Sequence, residues 1–165
     1  MEDFLQSIEA AIEQSNWNAA ISLSLMLPDI CPSMQGIRRG RKRYMDWFNT
    51  YAADDFSSSF GGAFLSCEDC YALRCSILHS GTDDISDNSV EATLSKVTFT
   101  TLQMHNIRFN DQLILDPRKF SMSMVNGARK WLSDVAQDSA VQKRLRMMVS
   151  VKNDAFSPIP GVRLG

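Results

Sequence analysis

Apolar residues at Phe4, Leu5, Ile8, Ala11 and Ile12 recur at three- and four-residue spacing, with Glu2, Asp3 and Glu9 on the other side. That period predicts an amphipathic helix, and Glu2 and Asp3 stand where the helix dipole favours negative charge. Ser15 or Asn16 supplies a break and an N-cap. Trp17, Ala20, Ile21, Leu23 and Leu25 to Leu27 then predict a second, more buried helix. Pro28 is expected to end it, because the residue before a proline is steered away from helical angles. Residues 29–40, with Pro32 and Gly36, are left as a connection. A third helix is predicted over about 39–53, with Tyr44, Met45, Trp47, Phe48 and Tyr51 as its apolar side, followed by a Ser-, Asp- and Gly-rich loop at 54–62. A fourth starts near Ser66, where Ser66 and Asp69 resemble a capping box. It ends at Gly81, a natural left-handed stop.

The period changes after Thr82. Residues 83–88 read as an acidic loop, and Val97, Phe99 and Thr101 then alternate with Lys96, Thr98 and Thr100. Alternation of β-branched and aromatic residues is a strand signal. Ile107-Arg108-Phe109, Asn110-Asp111 and Leu113-Ile114-Leu115 predict a hairpin with a two-residue turn. Asp116-Pro117 opens a long helix as N-cap and first-turn proline, with Phe120, Met124, Val125, Ala128, Trp131, Leu132 and Val135 as its stripe. Residues 141–148 predict a last helix, and 154–165 an irregular tail. The predicted fold is mainly α: a bundle of five to six helices in one domain over 1–153, with a small antiparallel β insertion at about 94–116.

Composition narrows the class. With 165 residues, 17 Lys+Arg against 19 Asp+Glu and a net charge of −2, no global field attracts nucleic acid or anionic membrane. No apolar run approaches the ~20 residues a spanning helix needs. The opening Met1-Glu2-Asp3-Phe4 is acidic where a secretory signal is basic, so the expectation is a cytoplasmic protein with reduced thiols. Cys31, Cys67, Cys70 and Cys75 then read as small buried hydrophobes. The grouping of Cys67, Cys70, Cys75 and His79 invites zinc. On one helix, however, Cys70 and His79 point in opposite directions, so no metal is expected.

The physical anomaly is Arg74. At about 100° per residue, Cys67, Cys70, Tyr71, Leu73, Cys75, Ile77 and Leu78 form one apolar arc, and Arg74 falls inside it. Glu68 and His79 flank the arc, while Asp69 and Ser76 fall on the far, polar side. A guanidinium among apolar neighbours must find an acid, reach an edge or face a pocket, because an unpaired buried charge costs several kcal/mol. The bland outcome is an ion pair with Asp54, Asp55 or an acid of the first helix.

Arg74 and His79, separated by four residues late in a helix, resemble the R-x4-6-H motif of the HEPN superfamily. The resemblance covers the helical parts, roughly 4–81 and the long fifth helix. It implies a helical-bundle protein that binds RNA or cleaves it without metal or other cofactor, as a homodimer, in a toxin or antiphage system, and it leaves an antitoxin or other protein partner unidentified. Arg74 would stabilise phosphate charge and His79 would act as general acid or base. The family carries a polar residue straight after the arginine where this chain has Cys75, and a β stretch such as 90–115 is not a general feature of it. The alternative is a non-catalytic interaction module that uses Arg74 structurally.

Arg38, Arg39, Arg41, Lys42 and Arg43 place five cations within six positions. They are candidate contacts to an RNA backbone, or else a solvated helix start. Trp17, Trp47 and Trp131 are expected in the core rather than as a base-stacking platform. His105, near Asp111 and Asp116, is a lesser acid–base candidate.

Overall fold

The computed structural model of the chain describes residues 1–38, 40–59, 61–86, 92–151 and 154–164. Six α-helices run through them: α1 (Glu2–Glu13), α2 (Trp17–Met34), α3 (Arg41–Tyr51), α4 (Cys67–Cys75), α5 (Pro117–Asp134) and α6 (Ser139–Leu145). The strands β1 (Lys96–Phe99), β2 (Ile107–Phe109) and β3 (Gln112–Leu115) lie between α4 and α5. The architecture is mainly helical α+β, as the periodicities predict. Caps fall where the side chains allow. Asn16 accepts from the Ala19 amide, Ser66 from Asp69 and Asp116 from Lys119, each satisfying an amide that the first helical turn leaves without a partner.

The second helix departs most from expectation. It passes through Pro28 and Pro32 and ends only at Met34. An interior proline costs ~3 kcal/mol in an isolated helix, yet α2 packs on α1, α3 and α5. Leu25, Leu27 and Cys31 are fully buried, with both prolines beside them. Full burial of a leucine contributes about 1.5–3 kcal/mol, so several such residues outweigh the local preference. The supposed connection at 29–40 is therefore largely helix.

Helices α2 and α5 form the spine, with Trp131 of α5 donating to Gln35 at 2.9 Å. α3 lies so close to α5 that a Cβ on Gly127 would sit 2.8 Å from the Tyr51 carbonyl oxygen. The predicted loop at 54–62 begins with a 3-10 turn, Ala53–Phe56, that drives Phe56 into the core against Phe48 and Phe120.

The sheet is mixed, not antiparallel. Its order is β1-β3-β2, with β1 parallel to β3 and β2 antiparallel to it. The hairpin turn at Asn110-Asp111 forms as expected, but it inserts β3 between β2 and β1. Residues 100–106 span the gap that β3 fills. Asp69 is a second correction: rather than facing solvent it is wholly buried. Its carboxylate accepts from the amides of Thr93 (2.7 Å) and Leu94 (2.9 Å) and from the Thr93 and Ser66 hydroxyls. Ser76, also placed outward by the wheel, is buried and donates to the Asp84 carbonyl. The polar side of α4 is thus the seam that ties the sheet to the bundle. Within the tail, which holds no helix or strand among its described residues, Phe156 and Leu164 exchange backbone hydrogen bonds at 2.9 Å and close 156–164 into a loop.

Candidate functional site

The site begins with the end of α4. After Cys75 the chain widens into a π-helical turn, Ser76–Ser80, which stops at Gly81 in the left-handed conformation. In a regular α-helix residues 74 and 79 would lie about 140° apart. The wider turn brings each residue towards the one five before it, and His79 Nε2 comes to 2.9 Å from Arg74 Nη1. The pair that the sequence separates around a helix is joined by a local change of helix type.

Asp29 of α2 holds the other edge of the same guanidinium. Its Oδ2 accepts from Arg74 Nε at 3.0 Å and Nη2 at 2.9 Å. The acid is therefore neither Asp54, Asp55 nor a residue of α1. Burial opposes the charge on Arg74 most strongly, but the Asp29 carboxylate and the Cys75 sulfur together outweigh it and hold the guanidinium above its ordinary pKa. Arg74 remains 23% exposed and Asp29 27%. The pair lies at a wall, not sealed in the interior.

Arg43 reaches the same carboxylate from α3. Its Nη2 donates to the Asp29 backbone carbonyl at 3.0 Å and stands 3.5 Å from Oδ1, while Nη1 donates to the Ile37 carbonyl at 2.9 Å. Only 8% of this side chain is exposed, and its buried Nε has no partner among the described residues. Two guanidiniums thus share one carboxylate, a local charge of +1 before His79 is counted. They border a cleft of about 440 Å³ lined also by Met26, Tyr71 and Leu78. Closely spaced donors with surplus positive charge suit an oxyanion.

The rest of the basic run does not act as one surface. Arg43 is buried with Tyr44 and Trp47, Lys42 pairs with Asp46 one turn on at 2.7 Å, and Arg41 Nε donates to the Met45 sulfur. Arg38 is exposed, and Arg39 lies outside the described residues. Gly40, not residue 39, precedes the first turn of α3, and the helical phase that follows turns Arg43 inward to Asp29. Among the described residues, one of the cations proposed from sequence, Arg43, reaches the cleft.

The thiols and His105 are held in structural contacts. Burial pushes the thiols of Cys31, Cys67 and Cys70 up, Cys70 to about 12, which disfavours the thiolate a metal or nucleophile role requires. Cys70 is fully buried against the Tyr44 hydroxyl while His79 is exposed, so the two face opposite ways. His105 Nδ1 accepts from the Asp116 amide at 3.2 Å beside the Phe56 ring. Trp47 and Trp131 are core, whereas Trp17 is only half-buried. Among the described residues no helix is long and apolar enough to cross a membrane.

Asp29 is the residue that the sequence reading missed. Its signal was available: a second helix continued through Pro28 puts Asp29 about 40° from Leu25, an acid on an apolar face that calls for a buried cation. Compared with family models, with curated proteins and with solved structures, the chain matches none.

Proposed function

We propose that the Arg74–His79 cleft binds a phosphate of RNA and cleaves the chain beside it without a metal, in the manner of the HEPN-like proteins its motif resembles. The carrying observation is the 2.9 Å approach of the exposed His79 Nε2 to Nη1 of Arg74, which itself lines a cleft where Arg43 adds a second guanidinium. Asp29 fixes the Nε–Nη2 edge of Arg74 and so aims the remaining end of the guanidinium at the exposed imidazole. A positioned cation stabilises the charge that builds on the phosphoryl oxygens, and an imidazole exchanges protons near neutrality.

With O2′ attacking phosphorus and the P–O5′ bond breaking, one proton leaves O2′ and another reaches O5′. His79 serves one of these transfers. The equivalent imidazole of a second copy serves the other, which is the reason a homodimer belongs to this reading. The test is a ribonuclease assay in chelator on the wild type, Arg74→Ala and His79→Ala. General acid–base catalysis contributes about 10²–10⁴-fold, and a loss of that size in His79→Ala with unchanged melting temperature is expected. Equal cleavage by all three proteins refutes the reading.

A second reading is favoured by the Asp29–Arg74 clasp itself: an interaction module in which the two arginines only lock α2, α3 and α4 together. Under it, Arg74→Ala lowers the melting temperature, His79→Ala changes nothing, and RNA remains intact in every sample.

A further inference from the structure

A larger groove, about 970 Å³, lies on the other side of the π-helical turn. Its walls are the first turn of α2 with Trp17 and Asn18, the π-turn at Ile77, and β1 with Thr98 and Phe99. Ile77 lines this groove and the next residue, Leu78, lines the Arg43–Arg74 cleft. Helix α2 also runs past both: from Trp17 to Asp29 is twelve residues, about 18 Å at 1.5 Å per residue. The two cavities are neighbours along one helix, divided by one turn.

Their chemistry is complementary. The cleft carries the surplus guanidinium charge. The groove has one charged lining residue, Asp83, whose carboxylate is 3.6 Å from Lys96 Nζ. Its other polar groups are hydroxyls and an amide, which can both donate and accept. Trp17 is the half-buried tryptophan of the three, and the Arg118 guanidinium stands 5.9 Å from its ring centroid. An aromatic face, a nearby guanidinium plane and mixed donor–acceptor groups fit the flat body and heteroatom edge of a nucleobase. A cationic cleft and a neutral aromatic groove set apart along α2 suit the phosphate of one nucleotide and the base of another further along the same strand.

We infer that the groove seats a nucleobase of the single-stranded RNA whose phosphate lies at Arg43 and Arg74, so that Trp17 and β1 provide a base-binding subsite. The identity of the strand as RNA rests on the proposed function; the subsite itself is tested separately. A fluorescein-labelled 2′-O-methyl octaribonucleotide, blocked at the attacking hydroxyl, reports binding by anisotropy without cleavage.

Trp17→Leu is expected to weaken binding about 5- to 150-fold, the range for loss of one stacked base. Its salt dependence should match the wild type, because the phosphate contacts are intact. Arg74→Met should instead flatten the salt dependence. Thr98→Val, which keeps the shape and strand preference of the side chain, should weaken binding several-fold with the melting temperature unchanged. Trp17→Leu and Thr98→Val binding like the wild type would overturn the subsite, as would a wild type that does not bind the octamer. Uridine monophosphate displacing the octamer at equal concentration would also overturn it, by making a free nucleotide the occupant. If both variants behave as expected while Arg74→Ala and His79→Ala retain full cleavage, the base subsite stands and the nuclease mechanism falls.

Discussion

Asp29→Asn separates the two jobs of the cleft, because it should lower stability and raise polyanion affinity at once. Asparagine has nearly the shape of aspartate but no charge, so Arg43 and Arg74 would face each other across a neutral amide. Their nitrogens now stand 3.5 and 2.9 Å from the carboxylate oxygens. At an effective dielectric of about 20, each such pair is worth ~4 kcal/mol before desolvation is subtracted. Breaking a fully buried pair costs about 3–5 kcal/mol, and breaking an exposed one about 0–1 kcal/mol. With Asp29 and Arg74 each about one-quarter exposed, the loss should be about 2–3 kcal/mol.

For a chain of this length that is a fall of about 5–10 °C in melting temperature, with an unchanged urea m-value as the sign that the unfolded state is unaffected. Asp29→Asn combined with Arg74→Met removes one of the uncompensated cations and should recover part of the loss, a coupling of about 0.5–3 kcal/mol. In the same samples, Asp29→Asn should bind a single-stranded RNA more tightly. Its salt dependence should steepen by about 0.7 per additional phosphate neutralised. A melting temperature within about 1 °C of the wild type would show that the guanidiniums are held by something other than Asp29. Weaker RNA binding by a folded Asp29→Asn protein would show that the carboxylate does not offset the cations.

Other outcomes follow from the same contacts. Asp69→Ala leaves the Thr93 and Leu94 amides without an acceptor and should cost about 2–4 kcal/mol by denaturation, with early proteolytic cleavage around the sheet. Gly127→Ala gains about 1 kcal/mol of helix propensity. Its Cβ nevertheless meets the Tyr51 carbonyl at 2.8 Å, so urea unfolding should show net destabilisation from overpacking. Burial, aided by Lys119 and opposed by Asp116 and Asp55, holds His105 below its ordinary value of 6.5. The folded state then favours neutral imidazole, whose Nδ1 accepts from Asp116. Stability should be complete above about pH 6.5 and fall as the pH drops through the lower folded value. His105→Asn should flatten that dependence in urea titrations.

The helices were legible because each repeats one face. Phe4 to Ile12 and Phe120 to Val135 needed only their period and caps, and the hairpin needed only Asn110-Asp111 between β-formers. Arg74 and His79 were likewise singled out by a charge inside an apolar arc and a histidine at a helix end.

What the chain alone settled was therefore local: which faces are apolar, where amides need caps, and that one guanidinium required a partner. Tertiary structure decided whatever depended on a distant neighbour. Pro28 and Pro32 stay helical because α1, α3 and α5 bury the surface around them. Asp69 turns inward because Thr93 and Leu94, far along the chain, supply amides. The pair at 74 and 79 meets because α4 ends in a π-turn, and Arg43 joins it because Asp29 is carried there by a helix that a proline should have stopped. Periodicity records the sum of a residue's surroundings on its own element, whereas ion pairing, strand order and burial of a polar side depend on which element arrives opposite.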